Sequence, residues 1–221
     1  MKLLKLAPSQ RVQGRWLLHL EDASLLRVGE NEVVSFGLYA GMELSGERLE
    51  ELRAAAALGE LKERAIRALS LRPLSRRELV QKLTARPRPT RDGKERKEKA
   101  AADPAAAEAV ADWLEELGYL NDAEYAKSVV RHYSAKGYGE RKLRDELYRR
   151  GVPRDCWEEA LAEAQDPEDE IDQFIRRKMR GEDPRDPRAL KRTSDALARR
   201  GYRWEEIKEG LERYGAAQDD E

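Results

Sequence analysis

The sequence has little of what a covalent or metal-based framework requires. Its 221 residues include one cysteine, Cys156, and two histidines, His19 and His132. A single cysteine cannot form a disulfide within the chain, which argues against a secreted scaffold and predicts the reducing environment of the cytoplasm. His19 has no second ligand nearby in the sequence, so we interpret it as structural, and Cys156, beside a tryptophan, as packed rather than nucleophilic.

Long apolar runs and an excess of one charge are missing too. No stretch approaches the roughly 20 apolar residues that span a bilayer, and the apolar part of MKLLKLAPSQ (1–10) is too short for a secretory signal. We therefore expect a soluble protein without membrane association. Because 43 Lys and Arg nearly cancel 44 Asp and Glu, attraction to a polyanion requires local segregation of charge.

The first 44 residues have a hydrophobic pattern different from that of the rest of the chain. In RWLLHLEDASLLRV (15–28), apolar residues flank a candidate turn at 21–24, which favours a β-hairpin. NEVVSFG (31–37) favours a short helix, and Trp16 is predicted to lie in the core. This segment is therefore predicted to precede the main body as a small hairpin-containing unit.

From Ser45 onward the pattern is helical, since apolar residues recur at three and four positions and Gly or Pro separates the segments. Ser45 and Ser75 are predicted N-caps, whose hydroxyls accept from a free amide of the first turn. Gly151 and Gly201 each follow two arginines, at places where a helix ends at least cost in the left-handed conformation.

One helical unit is used more than once. Residues 141–161 and 191–211 align without a gap at an offset of fifty. RELVQKLTAR (77–86) is a third copy, with Leu79 and Leu83 at the apolar positions. The aligned pairs are Arg141 with Lys191, Asp145 with Asp195, Leu147 with Leu197, Arg149 and Arg150 with Arg199 and Arg200, Trp157 with Ile207, and Leu161 with Leu211.

Each copy has a predicted helix before it and another after it, so the unit is a three-helix module. Three short helices bury little surface alone, and stacking of neighbours predicts a mainly α, elongated and curved body of three tandem repeats. The predicted parts are an N-terminal segment (1–44), a connecting helix (45–59), repeat 1 (60–120, with a polar insertion at 87–104), repeat 2 (121–165), repeat 3 (166–214) and an acidic tail (215–221).

Three spaced elements in this order resemble the RecX family, the bacterial regulators of the RecA recombinase. They are RALSLRPLSRRELVQKL (67–83), GYLNDAEYA (118–126) and GYGERKLRDELYRRGV (137–152), and the resemblance covers about residues 60–214. It implies a non-enzymatic monomer without cofactors that binds the RecA–DNA filament and restrains recombination and ATP hydrolysis in DNA repair and the SOS response. The chain departs from the family pattern at the insertion, 87–104, and its N-terminal hairpin resembles an extra segment of some members.

Charge is segregated along repeat 2. Residues 131–154 carry eight Lys and Arg against three acids, whereas 155–172 carry nine acids and no Lys or Arg. A basic helix can attract phosphates, and a solvated face with pairs such as Arg141 to Asp145 accounts for the charge equally well. Arg141, Lys142 and Arg149 are spaced to share one side of a helix. The residues predicted to contact the RecA–DNA filament are Arg76, Arg77, Lys82, Arg131, Arg141, Lys142, Arg149, Arg150, Lys191, Arg199 and Arg200.

Two other functions remain open at this point. The protein could bind single- or double-stranded nucleic acid on its own, which salt-dependent DNA binding without recombinase would reveal. It could also be a magnesium nuclease through Glu168, Asp169, Glu170 and Asp172, although acids in a first turn are expected from the helix dipole alone. The helical spacing of Trp113, Tyr119 and Tyr125 is typical of core residues rather than base-stacking platforms.

Overall fold

The computed structural model describes residues 1–86 and 101–219. Most of the predicted insertion, 87–100, and the last two residues of the predicted acidic tail lie outside this described part. The chain divides into two compact units, one of Met1–Pro73 with Leu79–Tyr119 and one of Leu74–Glu78 with Leu120–Glu221. Among the described helices, none has the length and apolar character needed to cross a membrane.

The first unit opens with an antiparallel sheet in the order β1 (Leu3–Pro8), β2 (Arg15–Leu20) and β3 (Leu25–Gly29). The predicted hairpin is the β2–β3 pair, and β1 is a third strand that the sequence did not indicate, because only its first residue is buried and its side chains do not alternate cleanly. Along β2, Leu18 and Leu20 are buried while His19 between them is exposed, as strand alternation requires. Trp16 packs partly buried against the core beneath the sheet.

Two helices complete the N-terminal layer, α1 (Glu30–Ser35) and α2 (Gly46–Leu71). Ser45 caps α2 as predicted, its hydroxyl accepting from the Arg48 amide at 3.1 Å. Leu49 and Leu52 of α2 join the apolar core under the sheet. Because α2 runs unbroken through residues 59 and 60, the predicted connecting helix and the first helix of repeat 1 are one element.

Repeat 1 continues with α3 (Arg76–Thr84) and α4 (Pro104–Glu116). The side chain of Asp103 caps α4, accepting from the Ala106 amide at 3.1 Å, so helical structure resumes at the last residue of the predicted insertion. α4 packs against α2. The side chains of repeat 1 that are buried are Leu61, Ala65, Ala68, Leu79, Leu83, Ala107, Val110, Ala111 and Leu114.

The second unit holds the two later repeats, each with three helices in its described residues. Repeat 2 consists of α5 (Asp122–Ser134), α6 (Glu140–Arg149) and, after a 3₁₀ turn at Arg154–Cys156, α7 (Trp157–Leu161). Repeat 3 consists of α8 (Pro167–Lys178), α9 (Pro187–Arg200) and α10 (Trp204–Asp219). α10 therefore includes residues 215–219 of the predicted acidic tail.

Each of these repeats has its own apolar core. Tyr125, Leu143, Leu147 and Trp157 contribute to the first, and Cys156 packs partly buried against it, where burial raises the pKa of its thiol. The second contains Ile171, Ile175, Met179, Leu197 and Ile207. Leu147 and Leu197 are both completely buried, which confirms the alignment at that position.

Truncating either leucine should destabilise its repeat. We expect Leu147→Ala and Leu197→Ala each to lower the free energy of unfolding by about 2–5 kcal/mol, because each removes a fully buried side chain from a packed core. Urea unfolding followed by circular dichroism measures the loss. Leu71→Ala, at a leucine that is 76% exposed, is the control and should change stability little. An unchanged midpoint for either buried leucine would contradict the repeat alignment there.

Candidate interface at the repeat junctions

The second helices of repeats 2 and 3 meet end to end. The Gly139 and Arg141 amides, at the start of α6, donate to the Arg200 and Gly201 carbonyls, at the end of α9, at 3.0 and 3.1 Å. Gly139 has no side chain to cap α6, so the free amides of one helix are satisfied by the free carbonyls of another. The positive end of one helix dipole also meets the negative end of the next. We call this contact the second junction.

Glycine is required on both sides of the second junction. A Cβ on Gly139 would lie 2.5 Å from the Tyr202 nitrogen, and one on Gly201 would lie 2.5 Å from the Lys142 nitrogen. Gly201 also has φ +92°, in the left-handed region. The sequence identified Gly201 as a helix stop, and the structure shows that it also lets two backbones touch.

The first residues of α3 make the equivalent contact with the end of α6, which we call the first junction. Ser75 is completely buried; its hydroxyl donates to the Arg150 carbonyl and accepts from the Glu78 amide, the latter at 3.0 Å. The Arg77 side chain lies so close to Gly151 that a Cβ there would be 2.4 Å from Cδ of Arg77. Ser75 therefore occupies in the first junction the place of Gly139 in the second.

Two of the predicted contact residues are used inside the protein. The Arg150 guanidinium donates to the hydroxyls of Tyr125 and Tyr133 at 3.0 and 3.1 Å, and Tyr125 donates onward to Glu78 at 2.9 Å. Burial raises the pKa of Tyr125, which keeps it a donor. Arg200, the matching residue of repeat 3, donates to the Gly137 carbonyl at 3.2 Å and lies over the Phe174 ring at 4.6 Å.

Other predicted contact residues are held by ion pairs or lie close to acids. Arg131 pairs with Glu163 at 2.5 Å and Arg149 with Glu146 at 2.9 Å, while the Arg76 amide donates to Asp122 at 2.8 Å.

The predicted pair of Arg141 with Asp145 is wrong, since the described residues show no ion pair between them. Arg144 instead pairs with Glu140 at 2.8 Å and with Glu158 at 3.1 Å. These pairs join α6 to its own first turn and to α7, so the tertiary fold rather than helical spacing selects the partner.

The remaining six predicted residues have no hydrogen-bond or ion-pair partner for their side chains within residues 1–86 and 101–219. Lys142 is half-buried and the others are exposed. They are Arg77, Lys82, Arg141, Lys142, Lys191 and Arg199.

Three of the unpaired cations lie around one depression at the second junction. Arg141, Lys142 and Asp145 of α6 face Asp195, Ala198 and Arg199 of α9 across Gly201. We call this surface the basic concavity. It carries three cations against two carboxylates, and Asp145 and Asp195 occupy matching places in their repeats. Its cations are free to bind an anionic group.

The acidic start of α8 does not form a metal site in the described structure. Asp172 is bound to Arg213 at 2.8 Å, and no group of three or more metal-binding side chains occurs among the described residues. Glu168, Asp169 and Glu170 lie in the first turn, where the helix dipole favours acids.

The three aromatic residues assigned to the core behave differently from one another. Tyr125 is buried as predicted and Trp113 is half-buried, with the Lys62 ammonium 4.2 Å from its ring centre. The prediction for Tyr119 is wrong, because it is 70% exposed. It follows Gly118, whose φ of +73° turns the chain away from the apolar side of α4.

Together these features define a class of protein, a tandem helical-repeat protein with unpaired cations at the junctions between its repeats. The family model for "RecX, second three-helix domain" matches residues 121–161. A regulatory protein RecX from Cronobacter sakazakii is 33% identical over 153 residues, which are 69% of this chain and 90% of that protein. The relative of the same name from Leptothrix cholodnii is 34% identical over 68% of this chain and 87% of its own length. The chain belongs to the RecX family of regulatory proteins.

Solved structures show the same fold at low sequence identity. One regulatory protein RecX has a TM-score of 0.67 and 18% identity, covering 94% of this chain and 97% of that one. RecX from Lactobacillus salivarius has a TM-score of 0.57 and 18% identity, covering 71% of this chain and 95% of its own. This chain and the two solved RecX structures therefore share a fold although their sequences are only 18% identical.

Adding one methyl group to the second junction should destabilise it. We expect Gly139→Ala to lower the free energy of unfolding by about 1–3 kcal/mol, because its Cβ meets backbone atoms that cannot rotate away. The control is Gly215→Ala in α10, where nothing lies within 4 Å and alanine favours the helix. A Gly139→Ala protein as stable as wild type in urea would contradict the close approach.

Alkali should weaken the same junction through Tyr202. Burial, with a smaller effect of Glu170, raises the pKa of Tyr202 to about 12, above the value of about 10 in an unfolded chain. The folded state therefore holds this proton more tightly, and the stability that depends on it is present below pH 10 and lost between pH 10 and 12.

Urea midpoints at pH 9.5 and 11.5 measure this loss. We expect wild type to lose on the order of 1–2 kcal/mol more than Tyr202→Phe between the two pH values, because phenylalanine has no proton to lose. The comparison with Tyr202→Phe removes the titration of the lysines, which both proteins share. Equal losses would show that Tyr202 titrates normally.

Proposed function

We propose that this protein binds the RecA recombinase filament on DNA through the unpaired cations of its second helices, and thereby inhibits recombination and ATP hydrolysis. The observation that carries the proposal is the recurrence of one exposed cation at the same repeat position in each second helix, in the first turn of α3 and α6 and in the second turn of α9. These cations are Arg77, Arg141 and Lys191, at matching places in α3, α6 and α9. RecA enters as the partner through the resemblance of the sequence to its bacterial regulators.

A repeated cation suits a repeated partner. A filament on DNA presents the same protein subunit and the same phosphate backbone at regular intervals, so matching residues of successive repeats can make the same contact more than once. An arginine can bind a phosphate or carboxylate with two parallel hydrogen bonds. Each phosphate that is neutralised also makes the binding more sensitive to salt.

The proposal includes a non-enzymatic, monomeric role in the cytoplasm. Membership of a family of regulatory proteins supports the first part, and the use of Asp172 in an ion pair with Arg213 weakens the nuclease alternative. Binding to nucleic acid without recombinase is the second candidate, because the same unpaired cations suit free phosphates.

Reversing the charge of the basic concavity tests the proposal. The variant is Arg141→Glu, Lys142→Glu and Arg199→Glu, which replaces three free cations on one surface. Arg149, which the sequence grouped with Arg141 and Lys142, is left unchanged because it is paired with Glu146. We expect filament binding to weaken at least about tenfold through lost attraction and added repulsion, and inhibition of RecA ATP hydrolysis to fall with it. Anisotropy of a RecA filament on labelled single-stranded DNA measures binding at two salt concentrations.

A matched control distinguishes an effect of the basic concavity from an effect of the total charge of the protein. Arg176→Glu, Arg180→Glu and Arg188→Glu change three exposed arginines by the same total charge and should leave filament binding near the wild-type value. Circular dichroism confirms that both variants fold. Equal filament affinity of wild type and the concavity variant would refute the proposal, and equal affinity of wild type for DNA with and without RecA would favour the stand-alone alternative.

A further inference from the structure

Exposed apolar surface in the second unit is concentrated in two aromatic side chains. Among its described residues, the large hydrophobic side chains that are exposed are Tyr148, at 64%, and Trp204, at 62%. The Tyr148 hydroxyl has no hydrogen bond, and its ring has no aromatic or cation contact, within the described structure. No contact among the described residues therefore explains the exposed ring of Tyr148.

Tyr148 lies on the same side of α6 as the proposed filament contacts. It follows Arg141 by seven residues, which is close to two helical turns. Its carbonyl accepts from the Gly151 amide at 2.9 Å, so it stands one turn before the glycine against which Arg77 packs. Tyr148 is thus next to the first junction.

Repeat 3 has the same position without an aromatic ring and allows a direct comparison. The residue that matches Tyr148 in repeat 3 is Ala198, which lines the basic concavity of the second junction between Arg199 and Asp195. Both junctions join the start of one second helix to the end of another, through backbone amides in the second junction and through the Ser75 hydroxyl in the first. In both, the helix that starts at the junction carries an arginine in its first turn. The junctions differ in that a flat aromatic ring in one replaces a methyl group in the other.

The charge around Tyr148 is compatible with a polyanion. Arg77 is exposed and unpaired among the described residues, and Glu146 is buried and bound to Arg149 and Arg150. Asp145 is the exposed carboxylate on this side of α6, one turn before the tyrosine. An exposed ring one turn before the glycine against which a free arginine packs offers a stacking surface and a phosphate contact at the same junction.

We propose that Tyr148 stacks on an unpaired base of single-stranded DNA at the first junction, while Arg77 contacts a neighbouring phosphate. This inference rests on the proposed function and adds the substrate feature that it recognises. A duplex covers the faces of its bases by stacking, so an exposed ring selects single strands. It tolerates any sequence, because every base has a flat face.

The test uses the full chain without RecA and two labelled oligonucleotides of equal length and charge, one of thymidines and one of abasic sites. We expect Tyr148→Ala to bind the thymidine strand about tenfold more weakly than wild type, because the variant loses one stacked base. Affinity for the abasic strand should not change, since phosphate contacts remain. Tyr148→Phe keeps the ring and should bind both strands as wild type does.

Tyr119→Ala is the matched control, because Tyr119 is an equally exposed tyrosine outside the junctions, and it should bind the thymidine strand normally. Unchanged binding of Tyr148→Ala to thymidine, or an equal loss on both strands, overturns the inference. Weaker binding of Tyr148→Ala to the RecA filament with unchanged binding to thymidine assigns the ring to the protein partner and also overturns it.

The filament assay with the triple variant of the basic concavity tests the proposed function separately. If that variant loses filament binding while Tyr148→Ala keeps full affinity for thymidine, the inference fails and the proposed function stands. If it keeps filament binding while Tyr148→Ala loses affinity for thymidine alone, the proposed function fails and base stacking stands.

Discussion

The contact on which the later repeats depend is the hydrogen bonding of one helix start to another helix end. The first amides of α6 donate to the last carbonyls of α9, and this is possible because Gly139 and Gly201 have no Cβ. Unsatisfied amides and carbonyls at buried helix ends would each cost about 1–3 kcal/mol, so the junction is strongly favoured over a small shift. This contact holds the start of α6 against the end of α9, and with it the side chains that surround the basic concavity.

The charged residues of α6 fall into two groups on different sides of that helix. Arg144 pairs with Glu140 and Glu158. Arg150 faces inward and donates to the hydroxyls of Tyr125 and Tyr133. Arg141 points outward and has no partner among the described residues. Because Arg144 already pairs with Glu140 and Glu158, these two acids do not neutralise the outward cation. A helix in which every charge were paired internally would stabilise the repeat but offer nothing to a filament.

Much of the fold could be predicted from the sequence because the signals are local. Ser45 and the glycine stops act within one turn, and the buried Leu147 and Leu197 follow from a repeat that aligns without gaps. The site could be predicted only as a set of basic residues. Which of them are free depends on acids from other helices, as with Arg131 and Glu163, and pairing across the fold leaves no periodic trace in the sequence. The strand β1 was missed for a similar reason, since its pairing partner β2 lies across a turn with weak signals.

The two junctions show how a repeat can keep one architecture while its surfaces diverge. The contact between helix ends tolerates exchange of Gly139 for Ser75. The serine hydroxyl donates to the Arg150 carbonyl, which matches the Arg200 carbonyl that accepts from the Gly139 amide in the other junction. The contact places no demand on the residue one turn before the terminal glycine, where Tyr148 and Ala198 alternate at no visible cost to the cores. Positions under the junction are therefore constrained by close approach, and positions beside it are free to vary. Differences between repeats at the free positions are consequently not explained by the requirements of folding.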